Sequence, residues 1–178
     1  MKKITEQEME VLQNKIWEEF LTNATPEEIH QSVITCNWDN NDFLLNWIKD
    51  NPEVDKATML ITYWMNAPRW MKQYTREQAK TEWFADDYEF MEEIEQKYMS
   101  GFWKNSNIEM DPACDQDGYD WTSDYMDKTT VIEIPAILFQ KLEGKKLECS
   151  EDFDEGLPMS PIDYAQKVWD LYDEYEIV

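Results

Sequence analysis

Glycine, histidine and cysteine are scarce in this chain of 178 residues, which contains four, one and three of them. A single histidine excludes a zinc site that needs several imidazole ligands. Cys36, Cys114 and Cys149 are far apart and form no C-x-x-C pair, which argues against a disulfide framework and a cysteine zinc site. None of the glycines lies in a phosphate-binding loop motif. We therefore expect no metal ion, no cofactor and no catalytic residues.

Long apolar runs are also missing. No stretch approaches the roughly 18 apolar residues that a membrane span requires. The N-terminal sequence MKKITEQEME turns acidic before any apolar run as long as that of a signal peptide. Together with the few cysteines, these features predict a protein of the reducing cytoplasm.

Basic residues are few: the chain has 16 Lys and Arg and 39 Asp and Glu, which give a net charge of −23. Such a chain repels phosphate and anionic lipid, so we expect no direct contact with nucleic acid or membranes. A basic protein partner is favoured, and the alternative is that the charge only maintains solubility. A small basic group is expected to neutralise neighbouring carboxylates; it consists of Arg69, Lys72, Arg76 and Lys80.

The first half of the chain contains several helix-start signals. The spacing of a capping box, in which two side chains satisfy backbone N–H groups, occurs at Thr5/Glu8, Thr25/Glu28 and Thr75/Gln78. Asp55 is a further candidate N-cap, and apolar residues follow each start at helical spacing. We predict an all-α fold of antiparallel helix pairs in a single domain, residues 1–178. Residues 1–100 are its helical core, and residues 101–178 are an acidic, loop-rich half with two short helices.

The Thr75 start predicts one long helix that buries Trp83 and Phe90 and ends before Gly101. On this helix Glu95, together with the other carboxylates, is expected on a solvated face, because a carboxylate pair needs burial before its pKa values separate.

The second half of the chain has weaker signals. Residues 129–134 alternate enough for one short strand, and residues 135–144 suit a short helix. The acidic run EDFDEG at 151–156 is predicted to be a connection. SPID at 160–163 predicts another helix start, before the apolar stripe Tyr164, Val168, Trp169 and Tyr172.

An Asn-Trp-Asp sequence at residues 37–39 precedes an apolar helix, an Asn-Pro break and a second apolar helix rich in aromatics. This block, NWDNNDFLLNWIKDNPEVDKATMLITYW, resembles an uncharacterised bacterial family catalogued as a domain of unknown function, over residues 25–100. The resemblance implies a mostly helical fold and no established activity. Asn37 and Asp39 are expected to cap the following helix, with a ligand role as the alternative. Asn40 and Asn41 occupy a turn in which several relatives have a glycine, and asparagine tolerates a positive φ.

The stretch DPACDQDGYDWTSDYMD, residues 111–127, has six aspartates and no basic residue. With Gly118 at position 6 of a calcium loop, Asp115 and Asp124 take positions 3 and 12, but Ala113 takes position 1. An aspartate at position 12 is too short to replace the usual bidentate glutamate. We therefore expect calcium affinity that is millimolar or weaker.

The same stretch is a candidate surface for a basic partner, because carboxylates steer an encounter and aromatic rings supply contact area. The residues predicted to contact the partner are Asp111, Asp115, Asp117, Tyr119, Asp120, Trp121, Asp124, Tyr125 and Asp127, with Glu151, Asp152, Asp154 and Glu155 from a second acidic run. Two alternatives remain open: the stretch is a solvated connection, or its aromatic rings fold back onto the core.

Enzyme chemistry has weaker support, because His30 and Cys36 are six residues apart and fall on different faces of a helix. His30 is expected to be a partly exposed packing residue. We expect an acidic protein-interaction domain, most concretely an immunity-type inhibitor of a basic toxin, since bacterial immunity proteins are often similar in size and acidity. The alternative is a regulatory or housekeeping domain that binds a small ligand between helix pairs.

Overall fold

A computed structural model gives the structure of residues 1–38 and 41–178. Within these residues the chain forms eight α-helices and four short strands, in the order β1 Lys2–Ile4, α1 Glu6–Asn23, α2 Pro26–Thr35, α3 Asp42–Asp50, α4 Lys56–Met65, α5 Pro68–Met71, α6 Arg76–Ala79, α7 Ala85–Ser100, β2 Phe153–Asp154, β3 Leu157–Pro158, α8 Tyr164–Glu174 and β4 Tyr175–Ile177. Two 3-10 helices, Trp121–Ser123 and Ala136–Phe139, lie between α7 and β2. The predicted, mainly helical fold is confirmed.

These residues form two compact units. Unit 1 contains Met1–Trp47 and Cys149–Val178, and unit 2 contains Ile48–Glu148. A single folding domain stays a prediction. None of the described helices is long and apolar enough to cross a lipid bilayer.

The predicted helix starts are confirmed. Thr5, Thr25 and Thr75 each accept a hydrogen bond from the backbone N–H three residues later, and the side chain of that later residue accepts one in return. Asp55 caps α4, since its Oδ1 accepts from the backbone N–H of Ala57 at 3.0 Å. Its Oδ2 accepts from the backbone N–H of residue 107 at 2.7 Å, which ties the start of α4 to the chain that follows α7.

In unit 1 the two ends of the chain lie side by side. Strands β1 and β4 are parallel, with Lys2 beside Tyr175 and Ile4 beside Ile177. Helices α1 and α8 pack against each other, and the ring centroids of Phe20 and Tyr164 are 5.5 Å apart. This pairing places the last helix of the chain next to the first.

The acidic run at 151–156 is a β-hairpin, not the predicted simple connection. Strands β2 and β3 are antiparallel, and Glu155 and Gly156 between them have φ of 48° and 85°. Positive φ at both positions is what a two-residue type I′ turn requires. A Cβ on Gly156 would lie 2.7 Å from the Cβ of Cys36 and 2.9 Å from the carbonyl oxygen of Ser32. The hairpin therefore sits against α2 so closely that only glycine fits at this position.

Unit 2 has a buried ionic network, which corrects the prediction that Glu95 lies on a solvated face. Glu95 is 8% exposed, its Oε1 accepts from the Tyr63 hydroxyl at 2.9 Å, and its Oε2 lies 2.8 Å from Lys72 Nζ. Burial of a carboxylate is tolerated here because a cation and a hydroxyl replace its hydration. Lys72 of the basic group neutralises a carboxylate, as predicted.

The predicted long helix after Thr75 is two helices, α6 and α7, separated by a turn over residues 80–84. Because the turn interrupts the helical phase, Phe84 is buried in place of Trp83, which is 84% exposed. Phe90 is half-buried. The predicted end is confirmed, since Gly101 follows α7 with φ of 71°, the left-handed conformation that favours glycine.

Residues 129–134 do not form the predicted strand. The backbone N–H groups of Val131 and Ile132 both point to the carbonyl oxygen of Lys72, at 2.8 and 3.4 Å. Alternation alone does not make a strand when no second strand offers a ladder of acceptors.

Two predicted helices differ in extent from the structure. Within residues 135–144 the helix is a single 3-10 turn, Ala136–Phe139. In the SPID sequence Asp163, and not Ser160, is the N-cap, and it accepts from the backbone N–H of Gln166 at 2.8 Å. Asp163 is the residue directly before the apolar stripe, and its carboxylate accepts a hydrogen bond from a backbone N–H of the first helical turn. The helix therefore begins at Tyr164.

Candidate functional site

The acidic loop, residues 111–127 of unit 2, is organised around one buried carboxylate. Asp115 is 7% exposed, and its Oδ1 accepts hydrogen bonds from the backbone N–H groups of Asp117 and Tyr119 at 2.9 and 2.8 Å. Its Oδ2 accepts from Trp121 Nε1 at 2.7 Å. Aspartate favours such turns because its short side chain reaches backbone donors a few residues away. Asp115 therefore fixes the backbone of the loop.

Other aspartates of the loop also bond within it. Asp111 and Asp120 each accept from the backbone N–H two residues later, at 3.0 Å. Asp124 accepts from the Tyr119 hydroxyl at 2.5 Å, and this hydrogen bond raises the pKa of the tyrosine. From α5, Arg69 Nε donates to a backbone carbonyl of the loop at 2.9 Å. Much of the aspartate content therefore has a local structural cause.

The residues predicted to contact a partner divide into a supporting and an exposed group. Asp115 is buried and Trp121 is half-buried with its indole N–H engaged, so both support the loop from inside. Asp117, Tyr125 and Asp127 are exposed. Tyr125 has φ of 55°, the left-handed region that disfavours residues other than glycine, and the residue is 44% exposed.

The geometry of the acidic loop differs from that of a calcium loop. Both carboxylate oxygens of Asp115 accept hydrogen bonds from N–H groups, whereas a calcium ligand turns its oxygens towards the ion. Among residues 1–38 and 41–178, no group of three or more His, Cys, Asp and Glu side chains is arranged to hold a metal ion. The expected weak calcium affinity stays a prediction.

The second acidic run belongs to unit 1 and has two environments. Glu151 and Asp152 are exposed at the start of the β2–β3 hairpin. Asp154 is half-buried, and its Oδ2 accepts from Trp169 Nε1 at 3.0 Å. Asp154 and Glu155 line a cleft of unit 1.

The cleft is a concave space of about 640 Å³, a volume typical of ligand sites. Two helices each contribute four residues to its lining. Helix α1 contributes Glu10, Gln13, Asn14 and Trp17. Helix α8 contributes Ala165, Val168, Trp169 and Tyr172. Both sets have the spacing i, i+3, i+4 and i+7, so each comes from one helix face.

Two aromatic rings of the cleft are held at their polar ends and exposed elsewhere. Trp169 and Tyr172 are 52% and 45% exposed, and their ring centroids are 6.2 Å apart. The Trp169 indole N–H is bound by Asp154, and the Tyr172 hydroxyl accepts from Gln13 Nε2 at 2.8 Å. The sequence predicted an apolar stripe on α8, but the stripe did not reveal that these two rings border a cleft.

The charged groups of the cleft are all acidic. Four carboxylates line it, those of Glu10, Asp42, Asp154 and Glu155, and its described lining includes no lysine, arginine or histidine. The side chains of Glu10, Asp42 and Glu155 make no hydrogen bond or ion pair with another described residue. Three negative charges at the cleft are therefore left without a partner from the described part of the chain.

The Asn-Trp-Asp segment also reaches the cleft. Asn37 and Asn41 line it, and Asn41 Nδ2 donates to the carbonyl oxygen of Asn37 at 2.8 Å.

Residues 24–99 match the model of a family described as a domain of unknown function, DUF4274. Residues 24–99 are therefore similar to that family. The resemblance predicted from the sequence is thereby confirmed, and no curated protein or solved structure matches the chain.

The DUF4274 segment runs from α2 to α7 and contributes four residues to the cleft, Asn37, Asn41, Asp42 and Phe43. The acidic loop lies outside this segment. The predicted capping by Asp39 and the predicted turn at Asn40 concern residues outside the described part of the chain.

His30 and Cys36, both in the DUF4274 segment, are neutral near neutral pH. His30 is 2% exposed and not partly exposed as expected, and burial lowers its pKa to about 4. Burial raises the pKa of Cys36 to about 12, and its Sγ donates to the carbonyl oxygen of Val33 at 3.3 Å. A nucleophilic cysteine needs a lowered pKa, so these surroundings do not favour a thiolate at Cys36.

Proposed function

We propose that this protein is an acidic interaction domain that binds a basic protein, most concretely as an immunity-type inhibitor of a basic toxin. The observation that carries the proposal is the preformed acidic loop of unit 2. Asp115 holds the loop from inside, while Asp117, Tyr125 and Asp127 remain exposed. A loop that is ordered before binding loses less conformational entropy when the complex forms.

Charge and aromatic surface have separate parts in this proposal. A net charge of −23 attracts a basic protein over a distance and raises the association rate. Tyrosine is a favourable anchor because it supplies a large contact area with few rotatable bonds. The exposed Tyr125, next to Met126 at 67% exposure, therefore supplies contact area once charge has brought the partner close.

The test begins with the protein encoded by the reading frame directly upstream of this gene. If that protein is a basic toxin, cells that produce it are expected to survive only when they also produce this chain. Association of the two purified proteins should slow markedly between 0.05 and 0.5 M salt, because the Debye length falls from about 14 Å to about 4 Å. Survival without binding, or binding whose rate is unchanged by salt, contradicts the proposal.

Charge reversal tests whether the acidic loop is the surface that steers the partner. The double variant Asp117→Lys with Asp127→Lys is expected to lower the association rate by about ten-fold or more at low salt. The matched control is Glu82→Lys with Glu133→Lys, which changes the same number of exposed charges in unit 2 outside the loop. Equal effects of the two double variants would place the interface elsewhere.

Truncation of a ring tests the anchor. Tyr125→Ala is expected to raise the dissociation rate about ten-fold or more, since a buried aromatic anchor contributes about 2 kcal/mol or more. Trp83→Ala is the control, because this ring is 84% exposed in unit 2 and lies outside the loop. Circular dichroism of both variants shows whether the fold is kept.

A second candidate function is the binding of a small ligand in a regulatory or housekeeping role, and the cleft of unit 1 favours it. The cleft combines a suitable volume, partly exposed aromatic residues and carboxylates without a partner among the described residues, which are features of small-molecule sites. A metabolic operon around the gene favours this function, whereas an upstream toxin gene favours inhibition.

A further inference from the structure

We propose that the cleft of unit 1 is a binding site for a guanidinium cation, the group that ends an arginine side chain. This inference deepens the small-ligand function and does not depend on the acidic loop, which belongs to unit 2. It rests on three features of the cleft: carboxylates without a partner among the described residues, partly exposed rings with fixed polar ends, and a buried amide.

The carboxylates determine the charge of the ligand. Glu10, Asp42 and Glu155 make no hydrogen bond or ion pair with another described residue, and no described basic side chain lines the cleft. These carboxylates repel an anion and attract a cation. Because the cleft is concave, a cation inside it is less screened by water than at an open surface.

The rings determine the shape of the ligand. Trp169 and Tyr172 are about half exposed, and hydrogen bonds to Asp154 and Gln13 fix their polar ends. About half of the surface of each residue is therefore open to a ligand. A planar guanidinium stacks on aromatic faces and still donates hydrogen bonds from its edge, whereas an ammonium is a compact and strongly hydrated charge.

One amide supplies a neutral acceptor in the lining of the cleft. Asn41 is 6% exposed although it lines the cleft, and its Nδ2 is bound to the carbonyl oxygen of Asn37. Its Oδ1 accepts no hydrogen bond from another described residue. A guanidinium has five N–H donors in one plane, so it is able to use an amide oxygen and a carboxylate together.

Calorimetric titration with N-acetyl-arginine amide is the test. We expect saturable binding that weakens with salt, and at least ten-fold weaker binding of the citrulline analogue, which has the same shape without the charge. The lysine analogue is also expected to bind more weakly. Equal affinity for the citrulline analogue, or no saturation up to roughly 10 mM, overturns the proposal.

The source of the guanidinium is distinguished by a second probe, the peptide Gly-Gly-Arg-Gly-Gly. Tighter binding of the peptide points to an arginine side chain of a protein, and tighter binding of the single amino-acid amide points to a free small cation. Both results support a guanidinium site. Because the probes contain no protein partner, their failure leaves the toxin-inhibitor proposal untouched.

Paired variants locate the binding in the cleft. Glu10→Gln and Trp169→Leu are each expected to weaken the arginine amide about five-fold or more. Their controls are Glu18→Gln, an exposed carboxylate on α1 outside the cleft, and Trp83→Leu, an exposed ring in unit 2. Circular dichroism spectra should be the same for all four. Binding that persists in both cleft variants with the fold intact refutes the assignment.

Discussion

Replacement of Asp115 with alanine is expected to loosen the acidic loop as a whole. The change removes the acceptor of three hydrogen bonds, from the backbone N–H groups of Asp117 and Tyr119 and from the indole of Trp121. Hydrogen bonds to a charged acceptor contribute about 1.5–3 kcal/mol each, but donors at the edge of a loop regain water once it opens. We therefore expect a loss of about 3 kcal/mol, and not the sum of three full contributions.

The asparagine variant gives a graded result. In Asp115→Asn the carbonyl oxygen still accepts from the two backbone N–H groups, while the new amide nitrogen meets the indole N–H of Trp121 donor to donor. A loss of about 1–2 kcal/mol is expected, intermediate between the native chain and the alanine variant. The control is Asp117→Ala, which removes the same charge from an exposed position and should change stability by about 0.5 kcal/mol or less.

Hydrogen exchange reports this change at named atoms. In the alanine variant the amides of residues 117 and 119 should exchange about 100-fold faster, because each 1.4 kcal/mol corresponds to a factor of ten. Urea unfolding of the same variants gives the global loss. If Asp115→Ala changes exchange no more than Asp117→Ala does, the loop is not organised by the buried carboxylate.

Three further predictions concern stability. Gly156→Ala should lower the free energy of unfolding by about 3 kcal/mol, because the new Cβ would meet a positive φ and a contact below 3 Å. Gly118→Ala should lower it by about 1 kcal/mol, since Gly118 has a positive φ but no atom within 4 Å of the new Cβ. Equal losses of stability in thermal unfolding would show that the close contact at Gly156 is not a cause. The pKa of His30 is about 4 in the folded protein and about 6.5 in the unfolded chain, so protonation favours unfolding. About 3 kcal/mol of stability that is present above pH 6.5 should therefore be lost as the pH falls to 4. If the urea midpoint of His30→Gln changes with pH as much as that of the native chain, His30 is not the cause of the loss. Glu95→Gln should lower the free energy of unfolding by about 3 kcal/mol because it leaves Lys72 buried without a carboxylate. Adding Lys72→Met should restore part of this loss. A double variant that is no more stable than Glu95→Gln would show that the buried charge is not the cause.

Several features of this protein were determined by the sequence itself because they depend on neighbouring residues. Thr5, Thr25 and Thr75 make the predicted capping boxes, since the groups that bond are three residues apart and meet whenever a helix forms. Asp55 and Gly101 mark a helix start and a helix end for the same local reason. The resemblance of residues 25–100 to a family of unknown function also depends only on the order of residues along the chain, and the family match over residues 24–99 confirms it.

Other features were decided only by the tertiary structure. A turn of five residues moved the buried position from Trp83 to Phe84, and Lys72, which directly follows α5, provides the cation that allows Glu95 to be buried. The cleft forms because α1 packs against α8, which brings together residues about 150 positions apart in the sequence. No local sequence pattern therefore predicts it. Spacing along a helix identifies which residues share a face, but whether that face meets a core or borders a cleft depends on the elements that pack beside it. That is why the stripe with Trp169 was visible in the sequence, whereas its place at a cleft lined with carboxylates was not.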